Sequence, residues 1–312
     1  MTRSIVGRFA PTPSGSMHLG NLFSCLLAWL SARSRGGRMI LRMENLDTQR
    51  TSIEYGEQLM RDLDFLGLDW DEGPYWQSER SGYYQECLDK LVAQDLVYPC
   101  FCSRAELHAA NAPHASDGDY IYQGACRGLT AAQIAEKSRS RSPAMRLKAG
   151  GTVGFRDLHY GWYEQELQRD CGDFLLRRSD GVFAYQLAVV ADDGAMGVTE
   201  VVRGRDLLSS GPRQLYLYRL LGLPEPEFGH IPMLLAPDGR RLSKREADMG
   251  LEKLRERFSA EEIVGRLGYL AGLLDRPGAV RARELVQAFS WEKVPEEDIY
   301  LPVELFDRSS RS

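Results

Sequence analysis

No stretch of this 312-residue chain is apolar for the roughly 18 residues that a bilayer-spanning helix needs. The start, Met1-Thr2-Arg3-Ser4-Ile5-Val6, has no apolar signal-peptide core and runs straight into a predicted strand. A cytoplasmic location with no membrane partner is the resulting expectation. Basic charge is not in excess either: 39 Lys and Arg face 44 Asp and Glu, for a net charge of −5 at pH 7. That balance excludes a general nucleic-acid binder, so any RNA must meet a local patch. Internal repeats and long linkers are absent, which excludes solenoids and strings of modules. Six cysteines without a secretory signal argue against a disulfide framework.

What is present is a chain long enough for one large core or two moderate ones, with an ordinary 43% of apolar residues. Two short segments carry most of the information. Arg8-Phe9-Ala10-Pro11-Thr12-Pro13-Ser14-Gly15-Ser16-Met17-His18-Leu19-Gly20-Asn21 lies near the start, and Asp238-Gly239-Arg240-Arg241-Leu242-Ser243-Lys244-Arg245 lies far downstream. In the first, Ser4 to Phe9 predicts a strand that Pro11 ends, because proline cannot continue a central strand. From Asn21 the apolar residues at 22, 23, 26, 27 and 30 have helical spacing, and Gly36-Gly37 can end the helix. A strand, a glycine-containing turn and a helix start aim backbone N–H groups and a positive dipole end at an anion. His18 is placed to meet a phosphate oxygen, and Gly15 and Gly20 would let a nucleotide approach the backbone. In the second segment Asp238-Gly239 is a tight-turn pair followed by a basic run.

The cysteines divide by position. Cys25 and Cys87 fall in predicted helices as core residues, and Cys171 has no obvious partner. Cys100-Phe101-Cys102 brings two thiols close enough to share a metal, and Cys126 follows 24 residues later. Three thiolates and one further ligand complete a tetrahedral zinc site. His108 and His114 are the usual chemical choices for that fourth position.

Along the chain, Arg38 to Met43 predicts a second strand ending at Glu44-Asn45-Leu46-Asp47, and residues 52–66 and 79–96 have helical periodicity. Phe174 to Arg178, Asp180-Gly181 and Val182 to Val190 predict a hairpin. Gly197 to Gly204 predicts a strand, 206–221 a helix, and Ile231 to Leu235 a strand leading into the Lys244 loop. Helical pattern dominates after 250. The domains expected are 1–97 and 129–250 as the two halves of a catalytic α/β domain, 98–128 as a metal-stapled insertion, and 251–312 as a helical region. Those last 62 residues carry 10 basic and 12 acidic side chains, so they are no strong RNA-binding tail. Local basic patches are Lys137-Ser138-Arg139-Ser140-Arg141 through Arg146 and Lys148, and the run Arg240, Arg241, Lys244, Arg245; each fits a solvated face equally well.

The segment around His18 resembles the HIGH box of class I aminoacyl-tRNA synthetases, and the Ser243-Lys244 loop resembles their KMSKS loop. RFAPTPSG is similar to the glutamyl branch of that class. The resemblance implies a Rossmann-type parallel sheet with a zinc-stapled insertion and a short helical C-terminal region. It implies catalysis by His18 and Lys244, with ATP and its Mg2+ held by Pro11, Gly15, His18, Gly20, Asn21, Ser243 and Lys244. A glutamate substrate has two carboxylates and one ammonium, and buried charges must be paired. The family's binding positions fall on Arg8, Phe9, Ala10, Pro11, Thr12, Glu44, Tyr185 and Arg203. Arginine forks suit the carboxylates and Glu44 the ammonium.

Only about 60 residues follow the Lys244 loop, where a full glutamyl-tRNA synthetase continues into an anticodon-binding domain. The chain therefore resembles the glutamyl-Q tRNA(Asp) synthetases, truncated paralogues without that domain. They activate glutamate without tRNA and esterify it onto the queuosine base in the tRNA(Asp) anticodon. That family's C-x-C…Y-x-x-x-C zinc pattern implies Cys100, Cys102, Tyr122 and Cys126 as ligands of one structural Zn2+. Departures are RLSKR for KMSKS, and MENLD where IEDTD is usual, which touches the contact made by Asp47. A monomer is expected. The alternatives are a minimal glutamyl-tRNA synthetase charging the 3′ end of tRNA(Glu), another HIGH-box nucleotidyltransferase, and a non-catalytic zinc-dependent RNA-binding paralogue.

Overall fold

The computed structural model describes residues 4–103, 106, 121–242 and 250–306. Strand β1 (Val6–Phe9) pairs in parallel with β2 (Arg38–Met43), and β2 with β3 (Glu72–Trp76). Parallel neighbours need crossover connections, which α1 (Leu19–Ser34) and α2 (Ile53–Phe65) supply. Helix α3 (Ser81–Ala93) follows. A second layer of elements then interrupts the sheet. Strand β4 (Val97–Cys100), helix α4 (Ala131–Ser138), β5 (Ala144–Leu147), the hairpin β6 (Thr152–Asp157) and β7 (Gly161–Glu166), the short α5 (Leu167–Asp170) and β8 (Phe174–Arg177) belong to it. Strands β4, β5 and β8 form an antiparallel sheet.

The parallel sheet resumes after helix α6 (Tyr185–Ala195). Strand β9 (Glu200–Gly204) adjoins β1: Thr199 N–H donates to the Val6 carbonyl at 2.9 Å, and Val6 N–H to Thr199 Oγ1 at 2.8 Å. Helix α7 (Ser210–Leu221) leads to β10 (Glu227–Ile231), which pairs in parallel with β9. Strand β11 (Leu234–Leu235) precedes the C-terminal helices α8 (Leu251–Arg255), α9 (Ala260–Leu270) and α10 (Ala282–Leu285), and β12 (Ile299–Tyr300) returns to pair with β11. This is the expected α/β architecture.

Strand alternation assigns each sheet residue to one of two cores. Phe9, Met39, Leu41 and Met43 pack with α1 residues Leu22, Phe23, Leu26 and Leu27 and with Leu251, Leu254 and Leu267 of the C-terminal helices. Val6 and Ile40 face the opposite way, toward Tyr84, Leu88, Leu187, Val190 and Tyr218 of α3, α6 and α7. The same alternation points Arg8 and Arg42 toward α6 rather than α1, which builds the site described below.

Three expectations need correction. The hairpin over 174–190 shrinks to a turn with a single bridge between Arg177 and Phe183. The run from Tyr185 is helix α6, because a short continuous apolar stretch fits a buried helix as well as a strand. The strand over 231–235 is two strands flanking Pro232, which has no N–H to donate. The helix expected from 206 starts at Ser210, after a 3-10 turn over Arg205–Leu207. As expected, the C-terminal region is mostly helical: α-helices run as far as Leu285, and 3-10 turns over Trp291–Lys293 and Val303–Leu305 flank β12. Among the described residues no helix is long and apolar enough to cross a membrane.

Candidate active site and metal centre

A cavity of about 620 Å3 opens at the C-terminal end of β1. Arg8, Phe9, Ala10, Pro11, Thr12, Gly15, His18, Gly20, Asn21, Glu44, Tyr185 and Arg203 all line it. Every sequence-predicted glutamate and ATP residue that the structure describes therefore reaches one space. Ser243 and Lys244 lie outside the described residues. On either side of them, Arg241 and Leu242 line the cavity, and Gly250 bridges to His18, with Leu251 N–H donating to the Met17 carbonyl at 2.9 Å.

Helix α1 begins at Leu19, two residues before the predicted start, so His18 is its N-cap residue and Gly20 and Asn21 stand in its first turn. Asn21 Oδ1 accepts from the His18 N–H at 3.3 Å. Gly15 has φ +140°, a region that favours glycine. A Cβ on Gly20 would come within 3.1 Å of the His18 ring, so its missing side chain makes room for the imidazole. The N-terminal turn thus presents backbone donors and the positive dipole end to the cavity.

The charged wall is more elaborate than the sequence pattern suggested. Buried Arg42 donates to Asp193 Oδ1 at 2.6 Å and to Glu44 Oε1 at 3.0 Å, with Asp192 at 3.7 Å. Asp193 also lies 3.7 Å from Arg8 Nε, and Arg8 donates to the Val202 carbonyl at 3.0 Å. Asp192 is held by Arg80 (2.6 Å), Gln77 (2.9 Å) and the Tyr84 hydroxyl (2.8 Å). Burial pushes the Glu44 carboxyl above its usual range, against the pull of Arg42. Arg203 is buried, and its hydrogen-bond partners among the described residues, Tyr185 at 3.5 Å included, are uncharged.

Sequence reasoning missed Arg42, Asp192 and Asp193. Their signal was an arginine inside an apolar strand and two adjacent acids in an apolar helix, both unfavourable unless paired. Cys25 is not simply core: it lines the cavity, and burial pushes its thiol up to about 12. Cys87 is buried as expected, and the Cys171 thiol donates to the Leu167 carbonyl at 2.9 Å.

The second constellation lies on β4 and the chain after it. The sulfurs of Cys100, Cys102 and Cys126 lie within 4.8 Å of one another. The Tyr122 hydroxyl is 3.4 Å from both the Cys100 and Cys102 sulfurs, and Cys102 is 3.6 Å from Cys126. A tetrahedron with zinc–sulfur bonds of ~2.3 Å has edges of ~3.8 Å, so this donor set fits the ion. Cys126 N–H donates to the Tyr122 oxygen at 2.9 Å, and Arg146 donates to Cys100 at 3.4 Å while stacking over the Tyr122 ring. Histidines 108 and 114, the other candidates, lie outside the described residues.

Arg146 is thereby removed from the basic patch proposed over 137–148. It is buried, Arg139 pairs with Glu136, and Lys148 pairs with Asp95.

These features define a nucleotide-binding α/β catalytic domain, and residues 4–276 match the family of tRNA synthetases class I (E and Q), catalytic domain. A glutamyl-Q tRNA(Asp) synthetase of Symbiobacterium thermophilum is 48% identical, over 96% of this chain and 97% of its own length. Another, from Nitratidesulfovibrio vulgaris, is 46% identical over 97% and 98%. A glutamate–tRNA ligase 2 of Alkalilimnicola ehrlichii is 44% identical over 85% of this chain and 58% of its own. The crystal structure of a glutamate-tRNA synthetase from Elizabethkingia anophelis matches with a TM-score of 0.83 at 25% identity, over 97% of this chain and 69% of that one. The chain belongs to the class I tRNA synthetases, which are ligase-type enzymes, and within them to the glutamyl-Q tRNA(Asp) synthetase family.

Proposed function

We propose that the protein activates L-glutamate with ATP, without tRNA, and then transfers the glutamyl group to the queuosine base in the anticodon of tRNA(Asp). The observation that carries this reading is the single cavity into which two arginines, Glu44 and the α1 N-terminus converge. A diacid with one ammonium needs that set of partners, and a triphosphate needs the helix end. The names of the relatives, glutamyl-Q tRNA(Asp) synthetases, support the acceptor proposed here.

In the first step the glutamate α-carboxylate attacks the α-phosphorus of ATP in line, and pyrophosphate leaves with its Mg2+. His18 and Lys244 stabilise the charge building on the phosphoryl oxygens, so the protein contributes position and electrostatics rather than a nucleophile. Arg8, Arg203 and Tyr185 hold carboxylate oxygens, and Glu44 takes the ammonium. In the second step the queuosine acceptor attacks the glutamyl carbonyl and AMP leaves. Cys100, Cys102, Tyr122 and Cys126 would hold a zinc ion, which would supply a structural crosslink away from the reacting atoms.

Glutamate-dependent exchange of pyrophosphate into ATP, run without RNA, tests the activation step. Exchange is expected with the intact protein and is expected to fall by about 10²–10³ in Lys244→Ala, the cost of one transition-state donor. Exchange that needs tRNA, or an unaffected and folded variant, contradicts the proposal. The likeness to the Alkalilimnicola ligase supports a second reading, charging the 3′ end of tRNA(Glu).

A further inference from the structure

Behind Arg203 lies a pair of residues that do not line the cavity: Asp157, at the end of the β6 hairpin strand, and His230, on β10. Both are buried. Arg203 Nε donates to His230 Nε2 at 3.0 Å, its Nη1 to Gln214 Oε1 at 2.8 Å, and its Nη2 to the Leu207 carbonyl at 3.1 Å. A guanidinium has no acceptor, so Nε2 must be the unprotonated ring nitrogen. The ring proton then sits on Nδ1 and is donated to Asp157 Oδ2 at 2.6 Å. The other carboxylate oxygen, Oδ1, takes the backbone N–H groups of His159 (3.0 Å), Tyr160 (3.0 Å) and His230 (3.2 Å). Burial lowers the His230 pKa to about 4, so the ring stays neutral at neutral pH.

We propose that Asp157 and His230 form a positioning couple: the carboxylate fixes the imidazole tautomer, and the imidazole lone pair fixes the Arg203 guanidinium in the orientation that receives a substrate carboxylate. Asp157 and His230 act through Arg203 and do not touch substrate themselves. The inference rests on the reading of Arg203 as a glutamate contact. Its physical core is that a buried arginine with uncharged partners keeps its charge for the ligand, and that an oriented fork loses less freedom on binding.

Asp157→Asn tests the couple without changing its shape. Three backbone donors keep the amide oxygen where Oδ1 was, so the amide NH2 must face His230 Nδ1. The ring is then forced to carry its proton on Nε2 and to aim a donor at Arg203, the tautomer inversion known from hydrolytic triads. The KM for glutamate in pyrophosphate exchange is expected to rise about ten- to a hundredfold, the scale of one hydrogen bond to a charged group. The KM for ATP should stay within about twofold by the same reasoning, since no ATP contact changes. His230→Gln, which retains an acceptor, should be milder than His230→Leu. Nitrogen-15 spectra of the histidines report the tautomer directly, and serve on the unaltered protein if Asp157→Asn does not fold. An unchanged glutamate KM in folded Asp157→Asn, equal loss in His230→Gln and His230→Leu, or a proton on His230 Nε2 in the unaltered protein overturns the couple. Arg203→Leu separates the two levels: if it leaves the glutamate KM unchanged, the reading of Arg203 fails instead.

Discussion

Glu44 concentrates the electrostatics of the proposed glutamate site in one carboxyl group. Burial favours its neutral form, while Arg42, at 3.0 Å, and Arg8 favour the charged form, and burial wins. If Glu44 takes the substrate ammonium, only its ionised form binds well. Because its pKa is raised, glutamate affinity is present above that pKa and is lost as pH falls through it, sooner than for an ordinary carboxylate. The glutamate KM should therefore climb on the acid side. Glu44→Gln should raise it by about ten- to a hundredfold at neutral pH and remove that climb. An identical acid limb in Glu44→Gln and the intact protein would contradict the assignment. Arg8, Glu44, Tyr185 and Arg203 were legible because they sit in recognisable sequence contexts. Arg42, Asp192, Asp193, Asp157 and His230 were not, because only the sheet alternation and the return of β10 bring them behind those residues. Asp157 and His230 are 73 positions apart, and nothing in either local sequence marks the hydrogen bond between them.

Among the elements, β2, α2 and α3 were legible and α6 was not. Strand β2 matches its predicted span, and α2 and α3 start and end within three residues of theirs. Helix α6 was mistaken for a strand because Leu187 to Ala191 are all buried and leave no polar face to mark a helical period. The segment following β4 was legible for a different reason: cysteine spacing carries its own geometry. Its ties to the rest of the second layer converge on Asp173, which accepts from the Tyr98 hydroxyl at 2.5 Å and pairs with Arg127, while Arg146 Nη1 donates to the Asp173 carbonyl at 2.7 Å. If this segment is the proposed zinc staple, the purified protein should carry one equivalent of zinc, and Cys126→Ala should lose it. Burial pushes the Cys102 thiol up to about 11, so the ion must displace a proton and should bind more weakly as pH falls. Measured zinc content that is nil, or affinity independent of pH, would remove the staple.

At the scale of the whole molecule, the two cores flanking the parallel sheet place β1, β2, β9 and the α1 N-terminus around one opening. Ends of parallel strands where the chain crosses from one side to the other are the usual ligand positions of such sheets. That organisation explains how residues as distant as Arg8 and Arg203 come to share a cavity. Transfer of glutamate to the queuosine base is the central proposal. The direct test uses radiolabelled glutamate with tRNA(Asp) bearing queuosine, the same tRNA without it, and tRNA(Glu), each with and without its 3′-terminal adenosine. Label is expected only on queuosine-bearing tRNA(Asp), retained when the terminal adenosine is removed. Label on tRNA(Glu) that vanishes with that adenosine would contradict it.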